Sequence, residues 1–516
     1  MRLGFKALLV ALLALLAPLS AARAEWLEGT SPNFTFYGDM NEAEMQRYAE
    51  RLEAFHGALR LITRASEPSR VTMYILPDLA EVQRLFGPNG RNIGGFYIPS
   101  NQGAMAFMPR RIQWGGANTV LFHEYAHHML LSNVDQFLPG WASEGLAELF
   151  STVRFAEDGT LTFGAPNADR GASVNAMDRM SIEELLTSDS RNLGDRRHQI
   201  YSRGWLLVHY LLLSGNRPGQ FSRYIELINQ GIPTMGAARQ AFGELGRLDR
   251  EFDVYRRAPR FNGFNVTRAQ LGPPPRLTIR RLRPGEAAIM PYRIRSARGV
   301  DARIAASLVE PARRVAAQYP DDPFVYRTLA EIEYDARNLA QAEAAADRAL
   351  QLDPQNVMAM AYKARVAGRR AAATPNNAAA WRDVRALIRR AIRTDPNNAL
   401  ALVLYYDSFV AAGERVPDDA MRGLLRAIVL VPQDSSSRIR LGYAQLRAGD
   451  AAGARHSLLT VGYNSHLPPT NPARRIVERI AAGDTAQAVL PIATEAGWDR
   501  LNEYAAPRGE GEQQGS

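Results

Sequence analysis

The residues that most restrict what this chain can become are His123 and His127, the ends of His123-Glu-Tyr-Ala-His127. On an α-helix, positions i and i+4 lie one above the other, so both imidazoles can aim a nitrogen at one point. The flanks Thr119-Val-Leu-Phe and Met129-Leu-Leu are apolar, as a buried helix requires. Glu124 falls roughly 100° round from His123, on the edge of the same face. Two imidazoles supply half of a tetrahedral zinc shell, and a catalytic zinc keeps one position open for water. A third ligand has to come from elsewhere in the chain.

Glu144 is the candidate, in Trp141-Ala-Ser-Glu-Gly-Leu-Ala-Glu148. Leu131–Gly140 reads as a helix end and a turn, punctuated by Asn133, Asp135, Pro139 and Gly140. A second helix from about Trp141 would bring Glu144 back against the first. Glu148 lies one turn further on the same face, where it could accept a hydrogen bond from a ligand histidine and fix its tautomer. His128 points away from the pair and reads as structural.

The pairing of His-Glu-x-x-His with a later Trp-x-x-Glu-Gly-x-Ala-Glu resembles the gluzincin metallopeptidases, closest to their peptidase-MA-like branch. The resemblance implies a zinc site with ligands His123, His127 and Glu144, and Glu124 as general base. It also implies an oxyanion donor on a later helix, a Tyr or a His. Tyr201 is the expected donor, with His198 close by. In that group an edge strand ahead of the active-site helix pairs with the substrate backbone, and the resemblance points to Ala104–Met108 for that strand. It spans roughly residues 30–257 and is diffuse outside the metal motifs.

Residues 1–24 read as a cleaved signal peptide. Arg2 and Lys6 precede an apolar run, Ala7–Leu19, and Ala22-Arg-Ala24 is a small-residue cleavage site. The run is shorter than the 20 or so residues that span a bilayer. The expected location is therefore periplasmic or secreted, with no stable membrane insertion after cleavage. The chain has no Cys, which rules out disulfides and a lipoprotein anchor. Its formal charge is +9; removing Arg2, Lys6 and Arg23 leaves 9 − 3 = +6. Lys6 and Lys363 are the only lysines, and no aromatic-basic platform suggests nucleic-acid binding.

Length allows two to four domains. The expected fold is an α+β zincin-like metallopeptidase domain over 25–257, a connector with short strands over 258–298, and an all-α helical-repeat domain over 299–505. Residues 506–516 form a polar tail read as disordered. In the first domain, Asn33–Gly38 and Val71–Leu76 read as strands and Asn41–Thr63 as a helix. Phe96-Tyr-Ile and Ala104-Met-Ala-Phe-Met flank Ser100-Asn-Gln-Gly as a hairpin. Ser181-Ile-Glu-Glu opens a capped helix, the stretch from Tyr201 is a long apolar helix, and Ala238–Tyr255 closes the domain. In the connector, Phe264-Asn-Val, Arg276-Leu-Thr-Ile and Ala288-Ile-Met-Pro-Tyr suggest strands between Pro and Gly breaks, and its Pro-rich stretch suggests that the two halves fold separately.

Beyond 299 an internal repeat emerges. Arg348-Ala-Leu-Gln-Leu-Asp-Pro354 recurs as Arg390-Ala-Ile-Arg-Thr-Asp-Pro396 and as Arg426-Ala-Ile-Val-Leu-Val-Pro432. Small residues such as Ala330, Ala342, Ala346 and Ala349 fall where tetratricopeptide (TPR) repeats place them, and Leu441-Gly-Tyr443 continues the pattern. The combination predicts an exported zinc-dependent peptidase acting on peptides or proteins. The repeats would bind substrate or a protein partner. Two other readings fit the same residues: a TPR adaptor whose metal domain is structural or inactive, and a metal-dependent hydrolase of another class.

Overall fold

The computed structural model describes residues 26–63, 69–88, 90–110, 119–132, 136–166, 180–188, 198–374, 377–464, 467 and 470–504. The expected signal peptide and polar tail lie outside them. The fold is α+β, an N-terminal sheet followed by a long succession of helices.

The sheet has six strands in the order β4-β5-β3-β2-β1-β9. They are β1 (Trp26–Thr30), β2 (Phe34–Asp39), β3 (Val71–Leu76), β4 (Phe96–Ile98), β5 (Met105–Pro109) and, far along the chain, β9 (Thr278–Arg281). β2, β3 and β5 run parallel, with Tyr37 opposite Tyr74 and Tyr74 opposite Phe107. β4 lies antiparallel outside β5, and β9 antiparallel outside β1. The alternation of side chains across a strand divides the residues between two covered faces. Phe34, Phe36, Met73 and Ala106 point into the main core, against α1 (Glu42–Thr63). Tyr74, Phe107 and Met105 point the other way, under α2 (Leu79–Phe86) and a later helix that carries Met290 and Ile294. Both faces being covered explains why every residue of β5 is buried.

This arrangement corrects three expectations. Ala104–Met108 is not an edge strand, because Phe96–Ile98 pairs along its outer side; β4 is the edge. The connector does not stand apart, since β9 completes the sheet beside β1. Ala288-Ile-Met-Pro-Tyr is helical, not a strand. It lies inside the helix Pro284–Ala297, where Pro284 occupies the first turn and Glu286 returns its carboxylate to the Arg283 N–H at 2.8 Å. The buried positions Ile289, Met290, Arg293, Ile294 and Ala297 follow the helical period, and the helix continues past Pro291 although Pro removes a ladder bond there.

After the sheet come α3 (Thr119–Leu130), α4 (Gly140–Ser151), a small sheet of β6 (Arg154–Phe155), β7 (Leu161–Phe163) and β8 (Phe264–Val266), then α5 (Ile182–Thr187), α6 (His198–Leu213) and α7 (Gln220–Asn229). The Ser181 capping box at α5 is present. The closing segment is two helices, α8 (Thr234–Phe242) and α9 (Leu245–Tyr255), because Gly243 turns the chain with a φ of 78°. A single turn, α10 (Arg268–Leu271), precedes β9, and Pro284–Ala297 is α11.

From α12 (Ala302–Gln318) the chain proceeds as helical hairpins: α13 (Pro323–Asp335) with α14 (Leu339–Leu352), α15 (Val357–Ala372) with α16 (Ala378–Thr394), α17 (Ala399–Ala411) with α18 (Asp418–Leu430), and α19 (Ser435–Arg447) with α20 (Ala451–Gly462). The last described α-helices are α21 (Pro472–Ala481) and α22 (Ala486–Glu495), followed by a 3-10 turn at Trp498–Arg500. The repeated Arg has a structural role. Arg348 donates to the Pro320 carbonyl at 2.9 Å, Arg390 to the Pro354 carbonyl, and Arg426 to Asn397 at 2.8 Å. Each thereby ties its helix to the loop of the preceding unit.

Two features join the repeats to the sheet. Residues of α19–α22, among them Leu446, Leu458, Val461, Ile476 and Val489, share one apolar core with α1, α3, α4 and α6–α9. The turn between β4 and β5 reaches the face formed by α13, α15, α17 and α19. There Tyr362 donates to Gln102 at 3.1 Å and Asn101 donates to Glu503 at 2.7 Å. Glu503 also accepts from Arg365 at 2.8 Å, and the Tyr504 ring lies where Gly368 lacks a side chain, its hydroxyl on the Leu404 carbonyl at 3.0 Å. That face is thus occupied by the chain itself at these positions.

Candidate metal centre

α3 is held in rotation by its apolar side. The Phe122 ring meets Phe55 edge-on at 4.6 Å, Tyr125 lies 5.1 Å from Phe34, and the Tyr125 hydroxyl is 2.8 Å from Nδ1 of His56. With that side fixed, His123 and His127 face α4. α4 comes close because two helices cross without side chains between them: a Cβ on Gly145 would meet the Gly204 carbonyl at 2.5 Å, and one on Gly204 would meet the Trp141 carbonyl at 2.7 Å. The glycine after Glu144 therefore sets the depth to which α4 sinks against α6.

The three expected ligands converge. Nε2 of His123 lies 3.1 Å from Oε2 of Glu144, Nε2 of His127 lies 3.3 Å from the same oxygen, and the two Nε2 atoms are 3.1 Å apart. Three lone-pair atoms at such distances repel unless a proton or a cation stands among them. Two imidazoles and a carboxylate are a donor set suited to zinc. They are the one group of metal-ligating side chains that converges in this way among the described residues. The electrostatics agree. Burial pushes His123 towards neutrality, but its bond to Glu144 and the neighbouring carboxylates outweigh that and hold its basicity above normal. Burial likewise works against ionised Glu144, yet the two histidines hold its carboxyl well below the usual range.

Around the ligands, the Ser143 hydroxyl lies 3.1 Å from Nδ1 of His127. As an acceptor it keeps the proton on Nδ1 and frees Nε2 to coordinate. Glu148 approaches Nδ1 of His123 at 3.7 Å, near but longer than a hydrogen bond. His128 does turn away, and its Nδ1 is 2.7 Å from the Tyr97 hydroxyl. Burial, reinforced by His56, drives its basicity down to about 3, so it stays neutral.

His127 and Glu144 open onto a cavity of about 600 Å³ whose wall also includes Glu124, Ser143, Tyr97 and Arg438. This size suits a small-molecule or peptide site. Glu124 is half-buried at its edge. The expected oxyanion donor Tyr201 places its ring 6.1 Å from that of His123, on α6; it is not among the cavity's lining residues. His198 is exposed at the first position of the same helix. A second hollow, about 490 Å³ between α3, α4 and α7, is lined by Met129, Leu146, Phe150 and Ile225 and holds none of the convergent polar groups. Sequence reading had missed Ser143, Tyr97 and Arg438. Ser143 adjoins a candidate ligand and could have been weighed; nothing local marks the other two. Comparison with family models and with curated proteins finds no match to this chain.

Proposed function

We propose that this protein is an exported zinc-dependent peptidase of the gluzincin kind, carrying a TPR-like helical array. The convergence of His123, His127 and Glu144 beside a cavity edged by Glu124 is the observation that carries the reading. Zinc held by those three residues would make its water acidic near pH 7 and polarise the scissile carbonyl. Glu124 would accept the proton of the attacking water and return it to the leaving amine. Ser143, 3.1 Å from Nδ1 of His127, would accept the proton there and leave Nε2 to coordinate. Substrate backbone would lie along β4, the sheet edge, since Phe96, Tyr97 and Pro99 form part of the cavity wall. Tyr201, beside His123, would supply the hydrogen bond to the oxyanion. The array would hold β4 and wall the cavity from above, leaving its outer faces for a protein partner. Residues 1–24 would direct export to the periplasm or beyond.

The test combines elemental analysis with peptide hydrolysis. We expect about one zinc per chain, and turnover abolished by a chelator and restored by zinc. Zinc-free protein, or hydrolysis indifferent to chelation, would overturn the proposal.

A further inference from the structure

The cavity above the metal centre is not built from the N-terminal half alone. Pro432, Gln433 and Arg438, from the α18–α19 loop and the first turns of α19, form its opposite wall. Arg438 is only 5% exposed. Its Nη2 donates to the Leu131 carbonyl at 3.4 Å and its Nε to the Pro432 carbonyl at 3.3 Å, both long contacts. It forms no ion pair with any described residue. The nearby carboxylate, Asp434, is committed to the start of α19, where it accepts from the Ser437 N–H at 3.1 Å and the Ser436 hydroxyl at 2.8 Å. Burial lowers the Arg438 guanidinium to about 10, against the pull of Asp434, so it is cationic at neutral pH. A buried cation without a counter-ion is costly unless an anion arrives to meet it. Beside it the Gln433 side-chain oxygen is buried and accepts no hydrogen bond.

We propose that Arg438 binds a carboxylate of the substrate, on the leaving-group side of the scissile bond, and that Gln433 accepts an N–H of the same residue. The placement fits. Arg438 lines the same cavity as His127 and Glu144, and Leu131, whose carbonyl it meets, follows His127 by about one helical turn. A guanidinium grips a carboxylate through two parallel bonds, which gives direction as well as affinity. The carboxylate is either the free C-terminus of a peptide or an Asp or Glu side chain just beyond the cleaved bond. This assignment rests on the peptidase reading, and its test separates the two.

Matched peptides differing only in a free C-terminal acid, a C-terminal amide, or an amide with Asp next after the scissile bond would be compared on zinc-loaded protein. Wild type should favour one acidic form over the neutral amide by roughly 10- to 100-fold in kcat/KM; which form wins identifies the source. R438K should reduce that preference at least several-fold. Q433E keeps the shape of the loop and adds a competing carboxylate, and should erase the preference even if R438K folds poorly. Binding of the same peptides to zinc-loaded E124Q by calorimetry should show the same order. That order without turnover in wild type would sink the peptidase reading and leave the carboxylate site standing. Equal handling of acidic and neutral peptides, or a preference untouched in R438K and Q433E, would overturn the site.

Discussion

At the residue scale, the proposed roles divide between holding a metal and moving a proton. Replacing His123, His127 or Glu144 by Ala removes one of three convergent donors, and each variant should lose most of its zinc by elemental analysis. Glu124→Gln leaves those donors in place while its amide cannot take a proton. Zinc content should stay at the wild-type level and kcat should fall by about 10²- to 10⁴-fold. Tyr201→Phe should cost roughly 10²-fold in kcat with little change in KM if the hydroxyl meets the oxyanion. An unchanged kcat there, with a fall in Tyr97→Phe, would move the role to Tyr97 on the edge strand.

The legibility of this site in the sequence depended on distance along the chain. His123 and His127 announce themselves because helical geometry converts a spacing of four into a shared direction. Glu144 was legible because the turn before it is short and strongly punctuated. Arg438 was not: it meets Leu131 across 307 positions, and no local pattern encodes such a contact. β5 was misplaced at the edge for a related reason. Its own residues specify a strand, but whether it has one neighbour or two is decided by Phe96–Ile98. α11 was misread because Pro291 and apolar neighbours look like a broken strand when the two-sided burial of the helix is unknown.

At the scale of elements, the crossing of α4 over α6 and the packing of α13 against α15 each make a prediction. Gly145→Ala would place a methyl 2.5 Å from the Gly204 carbonyl and 2.8 Å from Val208, so the helices must part and carry Glu144 with them. A loss of about 1–3 kcal/mol in chemical denaturation, with weakened zinc binding, is expected. In the repeats, burial and the neighbouring charge of Glu331 raise the Asp335 carboxyl to about 7, despite the pull of Arg365 and Arg293. With an ordinary value near 4 in the unfolded chain, the folded state binds the extra proton between these values. Its contribution to stability is complete below about pH 4 and is lost as pH rises through 7. Asp335→Asn should therefore raise the free energy of unfolding at pH 8 more than at pH 5, by on the order of 2 kcal/mol after allowance for partial exposure, read by chemical denaturation at the two pH values. Equal shifts at both pH values would refute that origin.

At the scale of the whole molecule, the core that the α19–α22 helices share with α3 and α4, the helices of the candidate metal centre, decides how the chain can be cut. The Pro-rich connector suggested that the two halves fold separately, so that a chain ending at 298 would fold. The structure leads us to expect the reverse: such a chain exposes the faces that Leu458, Val461 and Ile476 cover, and should be aggregated or loosely folded by circular dichroism and light scattering. The intact protein should show the metal centre and the last helices unfolding together, with zinc raising one shared transition.

The β4–β5 turn clasped by Gln102, Asn101, Tyr362 and Glu503 has a consequence in time. A chain is made and delivered from its N-terminus onward. His123, His127 and Glu144 exist long before Arg438, Glu503 and Tyr504 do. The far wall of the cavity and the clasp on its edge strand close only once residues 432–504 have been made. A chain built in this order carries its own delay: until those residues are made, His123, His127 and Glu144 have no finished cleft beside them. Ribosomal products that stop short would be left without it.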